Sequence, residues 1–127
     1  MALITFTSDF GISDHYVAQT KAKILQAFSE AQIIDIVHNA KVFNLAHLSF
    51  SVMSVFRDFP EGTVHLIGGD EQKDTYLVAH LEEHFFVCPD NGILSLISDK
   101  TPQEVVKISE KLSATQAAAH LAQEKAI

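Results

Sequence analysis

Short apolar runs bounded by turn residues alternate along the chain with segments whose apolar positions recur at helical spacing. Leu3–Thr7 is apolar and β-prone and stops at Ser8-Asp9-Phe10-Gly11, where small and turn-forming residues gather, so it predicts a buried strand followed by a loop. Ser13 or Asp14 stands where a helix N-cap belongs. Beyond it, Val17, Ile24, Leu25 and Phe28 form an apolar stripe with Lys21 and Lys23 on the polar side, which predicts a helix running to about Ser29. Ile33–Val37, interrupted only by Asp35, predicts a second strand. After a polar loop around His38–Lys41, Leu45, Leu48, Val52, Val55 and Phe56 trace a second helix that stops before Pro60-Glu61-Gly62.

Thr63–Ile67 reads as a third strand closed by Gly68-Gly69-Asp70. Thr75–His80 and His84–Cys88 alternate around Leu81-Glu82-Glu83 and predict a hairpin, and Pro89-Asp90-Asn91-Gly92 predicts a turn. Ile93–Ile97 fits a short helix or a strand, Val105–Ile108 a last strand, and Ala114–Glu124 an Ala-rich helix. Strand, helix, strand in that order predicts a right-handed parallel βαβ unit, and the whole pattern an α/β domain, a three-layer sandwich with a mainly parallel sheet. Ligands of such sheets sit beyond the carboxyl ends of the strands. The loops at Ser8–Gly11, His38–Phe43 and Gly68–Asp70 are therefore expected on one edge, which would carry Asp9, Asp14, His38 and Asp70.

Composition narrows the function classes. With 127 residues, 47% hydrophobic, 20% charged and only 5 Gly and 3 Pro, the chain is expected to fold as a single domain over residues 1–127. A net charge of −7, with Arg57 the only arginine, speaks against a partner held by its phosphate backbone, so no nucleic acid is expected. The lone Cys88 excludes an internal disulfide and fits a reducing, cytoplasmic setting. No apolar run approaches the roughly 20 residues of a membrane span, and Met-Ala-Leu-Ile-Thr opens without a basic leader, so neither membrane insertion nor export is expected.

Among candidate chemical groups, Asp9 directly follows a strand, where its carboxylate can accept two hydroxyl hydrogen bonds, as from a ribose, or make an Asx-turn with its own backbone. Asp14 can hold a ligand ammonium or cap the helix. His38 and His47 are candidates for proton transfer or for ordinary hydrogen bonding. Phe43 and Phe50 are expected in the core, although an aromatic in a ligand-facing loop can pack on a sugar or base. His80-Leu81-Glu82-Glu83-His84 matches the pattern of inverted zinc peptidases, but two histidines four apart share a face only on a helix. Their strand-like flanks place them around a hairpin, and no metal site is expected. Glycine-rich dinucleotide, P-loop and Gly-x-Ser-x-Gly motifs do not occur.

Ile4-Thr5-Phe6-Thr7-Ser8-Asp9-Phe10-Gly11, Asp14-His15-Tyr16-Val17-Ala18-Gln19-Thr20-Lys21 and Ile34-Asp35-Ile36-Val37-His38 together resemble the S-adenosylmethionine hydrolase (adenosine-forming) and halogenase family. Phe59-Pro60-Glu61-Gly62-Thr63-Val64-His65 and Pro89-Asp90-Asn91-Gly92-Ile93-Leu94 extend the likeness over about the first 97 residues. The resemblance implies an N-terminal α/β domain of a trimeric enzyme in which water or halide attacks the ribose C5′ of S-adenosylmethionine and methionine leaves. It implies that S-adenosylmethionine is a substrate and that no cofactor is needed. By residue, it implies that Asp9 grips the ribose hydroxyls, Asp14 helps hold the methionine ammonium, Phe43 packs beside the sugar, Asn91 lies on the same rim and Asp70 is the catalytic carboxylate.

The chain departs from the family in three places. Asp70-Glu71-Gln72-Lys73-Asp74-Thr75 replaces Asp-Pro-Gly-Val-Gly and its following arginine, the later His-Gly-Arg-Asp segment has no counterpart, and the family's C-terminal β domain lies outside these residues. The resulting expectation is a hydrolase-like domain acting on a small-molecule nucleoside substrate and forming a homo-oligomer, with a non-catalytic nucleoside-binding or assembly module as the alternative.

Overall fold

The computed structural model describes residues 3–8, 15–38, 45–68, 76–90, 92–108 and 114–123. In chain order the elements are β1 (Leu3–Thr7), α1 (Tyr16–Ala27), β2 (Gln32–Val37), α2 (Leu45–Val55), β3 (Val64–Ile67), β4 (Tyr76–Leu81), β5 (His84–Pro89), α3 (Ile93–Ile97), β6 (Glu104–Lys107) and α4 (Ala114–Ala122). A 3-10 turn, Phe56–Asp58, ends α2 just ahead of Pro60.

The strands form one six-stranded sheet in the order β2-β1-β3-β5-β4-β6. β1 pairs in parallel with both β2 and β3, and β3 with β5, whereas β4 runs antiparallel to β5 and to β6. The sheet is therefore mostly, not wholly, parallel. From β1 the chain moves to one side to make β2 and then returns across β1 to make β3. Right-handed crossovers in opposite directions put their helices on opposite faces. α1 with α4 accordingly covers one face and α2 with α3 the other.

Alternation along each strand divides the core. Ile4, Phe6, Val64, Leu66 and Val87 pack under α1 and α4, joined by Ile24 and by Ala117, Ala118 and Ala119. Alanine there lets α4 approach the sheet closely. On the other face Ile67, Ala79, Leu81, Phe86 and Cys88 meet Leu48, Val52 and Phe56 from the α2 side and Ile93 and Ile97 from α3.

Two apolar assignments need correction. Leu25, placed in the α1 stripe by its neighbours, is 40% exposed, and Thr20 is buried in its stead with its hydroxyl donating to the Tyr16 carbonyl. Phe50, expected in the core, is 61% exposed, because two residues at 100° each carry it to the side of α2 away from Leu48 and Val52. The hairpin is as expected, with Leu81 opposite His84 and a two-residue turn in which Glu82 and Glu83 take φ of +52° and +65°. His80 pairs with Phe85, one place along from the Leu81–His84 pair, so His80 and His84 point to opposite faces of the sheet and cannot converge on one ion. Among the described residues no helix is long and apolar enough to cross a membrane.

Candidate functional site

β1, β2, β3 and β5 all end on the same edge. The Ser8 amide donates to the Val37 carbonyl at 2.9 Å and the Gly68 amide to the Thr7 carbonyl at 2.7 Å, which ties the three neighbouring strand ends together. Gly68 has φ +85°, and a Cβ there would stand 3.0 Å from the Tyr76 hydroxyl, so both backbone conformation and space call for glycine. The chain leaves β1 toward β2 and leaves β3 toward the opposite side of the sheet, so the direction of the connections reverses between β1 and β3. This is the topological switch point at which open α/β sheets bind ligands.

Asp9, Asp14, Phe43, Asp70 and Asn91 lie outside the described residues. Their segments begin in sequence directly after the ends of β1, β2, β3 and β5. Ser13, considered with Asp14 as the cap of α1, lies outside as well; the described helix is preceded by His15, which makes no side-chain cap bond.

Two polar chains built on the described strands were not legible as chains in the sequence. The first is at the carboxyl edge, on the α1 side. Ser8 Oγ lies 2.6 Å from His38 Nδ1, His38 Nε2 lies 2.8 Å from Asp35 Oδ1, and Lys21 from α1 holds the other Asp35 oxygen. Burial pushes the Asp35 carboxyl up, but the hydrogen bonds from Lys21 and His38 outweigh it and hold Asp35 below the ordinary carboxylate value. Asp35 therefore accepts, and His38 Nε2 carries the proton between them. The Phe6 ring meets the His38 ring edge to face at 4.6 Å and closes the site from within the core. His47, the other proton-transfer candidate, is exposed on α2.

The second chain crosses the opposite face. Thr5 Oγ1 is 2.7 Å from His65 Nδ1, and His65 Nε2 is 3.1 Å from His84 Nδ1, so β1, β3 and β5 are joined in turn. Phe86 stacks on His65 with centroids 5.0 Å apart, and Phe56 stands edge-on to both histidines. Burial, with His84 alongside, pushes His65 down to about 3, so it stays neutral; burial lowers His84 as well. Near the edge, Thr7 Oγ1 is buried with no hydrogen-bond partner.

The sequence profile described as SAM hydroxide adenosyltransferase N-terminal domain matches residues 4–126. The chain belongs to the SAM hydroxide adenosyltransferase family. An (R)-S-adenosyl-L-methionine hydrolase of Methanocaldococcus jannaschii is 30% identical over 118 residues, covering 86% of this chain and 44% of that protein. A fluorinase of Nocardia brasiliensis is 37% identical over 62 residues, 49% of this chain and 21% of that enzyme. The crystal structure of an uncharacterized conserved protein from Thermotoga maritima superposes with a TM-score of 0.84 at 29% identity, covering 94% of this chain and 53% of that one. This SAM hydroxide adenosyltransferase-type domain thus spans less than half the length of the M. jannaschii hydrolase. The M. jannaschii relative is by name a hydrolase of S-adenosyl-L-methionine, and the fold is that of the T. maritima protein.

Proposed function

We propose that the carboxyl edge of the sheet binds the nucleoside part of S-adenosylmethionine and that the chain is a hydrolase-type domain for that substrate. The observation that supports the reading is the reversal of strand order between β1 and β3, with Asp9 one residue in sequence past Ser8 and Asp70 two residues past Gly68. In this reading Asp9 accepts hydrogen bonds from the ribose hydroxyls, Asp14 receives the methionine ammonium, and Phe43 and Asn91 flank the sugar. Water attacks C5′ in the site, the C5′–S bond breaks with its electron pair going to sulfur, and methionine, adenosine and a proton result. A sulfonium leaving group needs no general acid, so alignment and exclusion of bulk solvent around the one attacking water carry the catalysis, with Asp70 orienting that nucleophile. Self-association belongs to the same proposal, supported by the exposed Phe50 and Met53 on α2 and Leu96 on α3.

One observation favours a second reading, a nucleoside-binding module without turnover. No arginine follows Asp70, and the chain's only arginine, Arg57, is held in a two-pronged ion pair by Glu82 at the hairpin turn, at the far end of the sheet from the carboxyl edge.

Incubation with S-adenosylmethionine followed by chromatography of adenosine and methionine tests the first reading, with adenosine titration alongside. Turnover that falls with Asp70→Asn supports the hydrolase. Binding on the order of millimolar, weakened about tenfold or more by Asp9→Asn but without turnover, supports the module. An absence of binding at millimolar ligand overturns both.

A further inference from the structure

We propose that His38 is a positioning residue for this nucleoside site: through Ser8 it fixes the end of β1 from which the chain enters Asp9. The inference rests on the binding reading above.

The geometry that points to it begins with a β-bulge. Phe6 pairs with Asp35 but Thr7 pairs with Val37, so β2 holds one extra residue, Ile36, at the point where the site begins. On a regular strand, residues three apart face opposite sides of the sheet. The bulge turns the end of β2 so that Asp35 and His38 come within 2.8 Å on the same side. His38 is then held from three directions: Asp35, itself anchored by Lys21 of α1, takes Nε2–H, the Phe6 ring packs against the imidazole, and Ser8 meets Nδ1. In the Nε2–H tautomer Nδ1 is an acceptor, to which the Ser8 hydroxyl 2.6 Å away can donate.

The Ser8, His38 and Asp35 order resembles a nucleophilic triad, but the structure does not support that role. Ser8 is fully buried and His38 is 7% exposed, so the hydroxyl has no approach for a substrate carbon. What the chain of bonds does accomplish is to lock β1, β2 and α1 to one another at Ser8, the residue before Asp9. A carboxylate that must receive two hydroxyls at once gains from such a fixed base, because its geometry is set before the ligand arrives.

The test separates the two ring nitrogens. Asparagine at position 38 puts an acceptor where Nδ1 stands and loses Asp35, whereas glutamine reaches toward Asp35 and loses Ser8. Adenosine is titrated into the 127-residue chain and followed by NMR chemical shifts, with thermal unfolding measured for each variant. Positioning through Ser8 predicts that His38→Gln and the milder Ser8→Ala each weaken adenosine about tenfold or more, while His38→Asn stays within about threefold of the parent. A purely structural His38 predicts that the asparagine and glutamine variants weaken binding only in proportion to their lost stability. That result, or unchanged affinity in Ser8→Ala, overturns the proposal. If the parent chain binds no adenosine, or Asp9→Asn binds as well as the parent, the binding reading itself fails and takes this inference with it.

Discussion

His65 Nε2 and His84 Nδ1 face each other at 3.1 Å, so a single proton lies between two rings and only one of them can donate. Protonating both would set N–H against N–H inside a shell of Phe56 and Phe86. The fold therefore keeps His65 neutral, with a pKa of about 3, while the unfolded chain takes up a proton near the ordinary 6.5. Between those values the unfolded state binds more protons than the folded one, so stability is complete above about pH 6.5 and declines as pH falls toward 3. Denaturant unfolding at pH 7 and pH 5 is expected to differ by on the order of 2 kcal/mol, and His65→Gln to flatten the difference. An equal slope in the variant would assign the pH dependence elsewhere.

Glu82 titrates in a lower window. The Arg57 hydrogen bonds, then that from the Ser98 hydroxyl, hold its carboxyl down at about 2, against an ordinary 4.5. Its contribution is present above about pH 4.5 and is lost as pH falls toward 2. Glu82→Gln is expected to cost about 1 kcal/mol at neutral pH and nothing near pH 2, with a smaller cost in high salt because Arg57 is half exposed. Thermal unfolding across both pH and salt checks it.

Cys88 is fully buried on the α2 face of β5, and burial, with Asp90 nearby, pushes its thiol up to about 12. The thiolate is the reactive species. A thiol reagent such as a mixed disulfide is expected to leave the folded protein untouched and to label Cys88 fully in denaturant. Rapid labelling under native conditions would show that the α3 side of the sheet opens locally.

Thr7 Oγ1 is buried without a hydrogen-bond partner, a state that costs about 1–3 kcal/mol. Thr7→Val keeps the β-branched shape and removes the hydroxyl, and it is expected to raise stability by about 1 kcal/mol in denaturant unfolding. Destabilisation by the same change would mean that the hydroxyl is satisfied in solution.

The alternation of apolar runs and helical stripes was enough to give the α/β class, the parallel βαβ start and the hairpin around Glu82 and Glu83, because those depend on local period and turn chemistry. The motifs around Asp9, His38 and His65 were enough to give the family. Other features were decided only in three dimensions. Leu25 shares the apolar character of the core residues, but which side of a helix meets the sheet depends on where the neighbouring helix lies. Asp35 and His38 read as a strand acid and a loop histidine, and Lys21 as a solvated charge. Only the β2 bulge, which no residue pattern announces, brings them into one chain with Ser8. Likewise Thr5, His65 and His84 are far apart in sequence and meet because β1, β3 and β5 are neighbours in the sheet. Period and turn signals act over a few residues, while pairing between strands distant in sequence is fixed by the packing of the whole sheet.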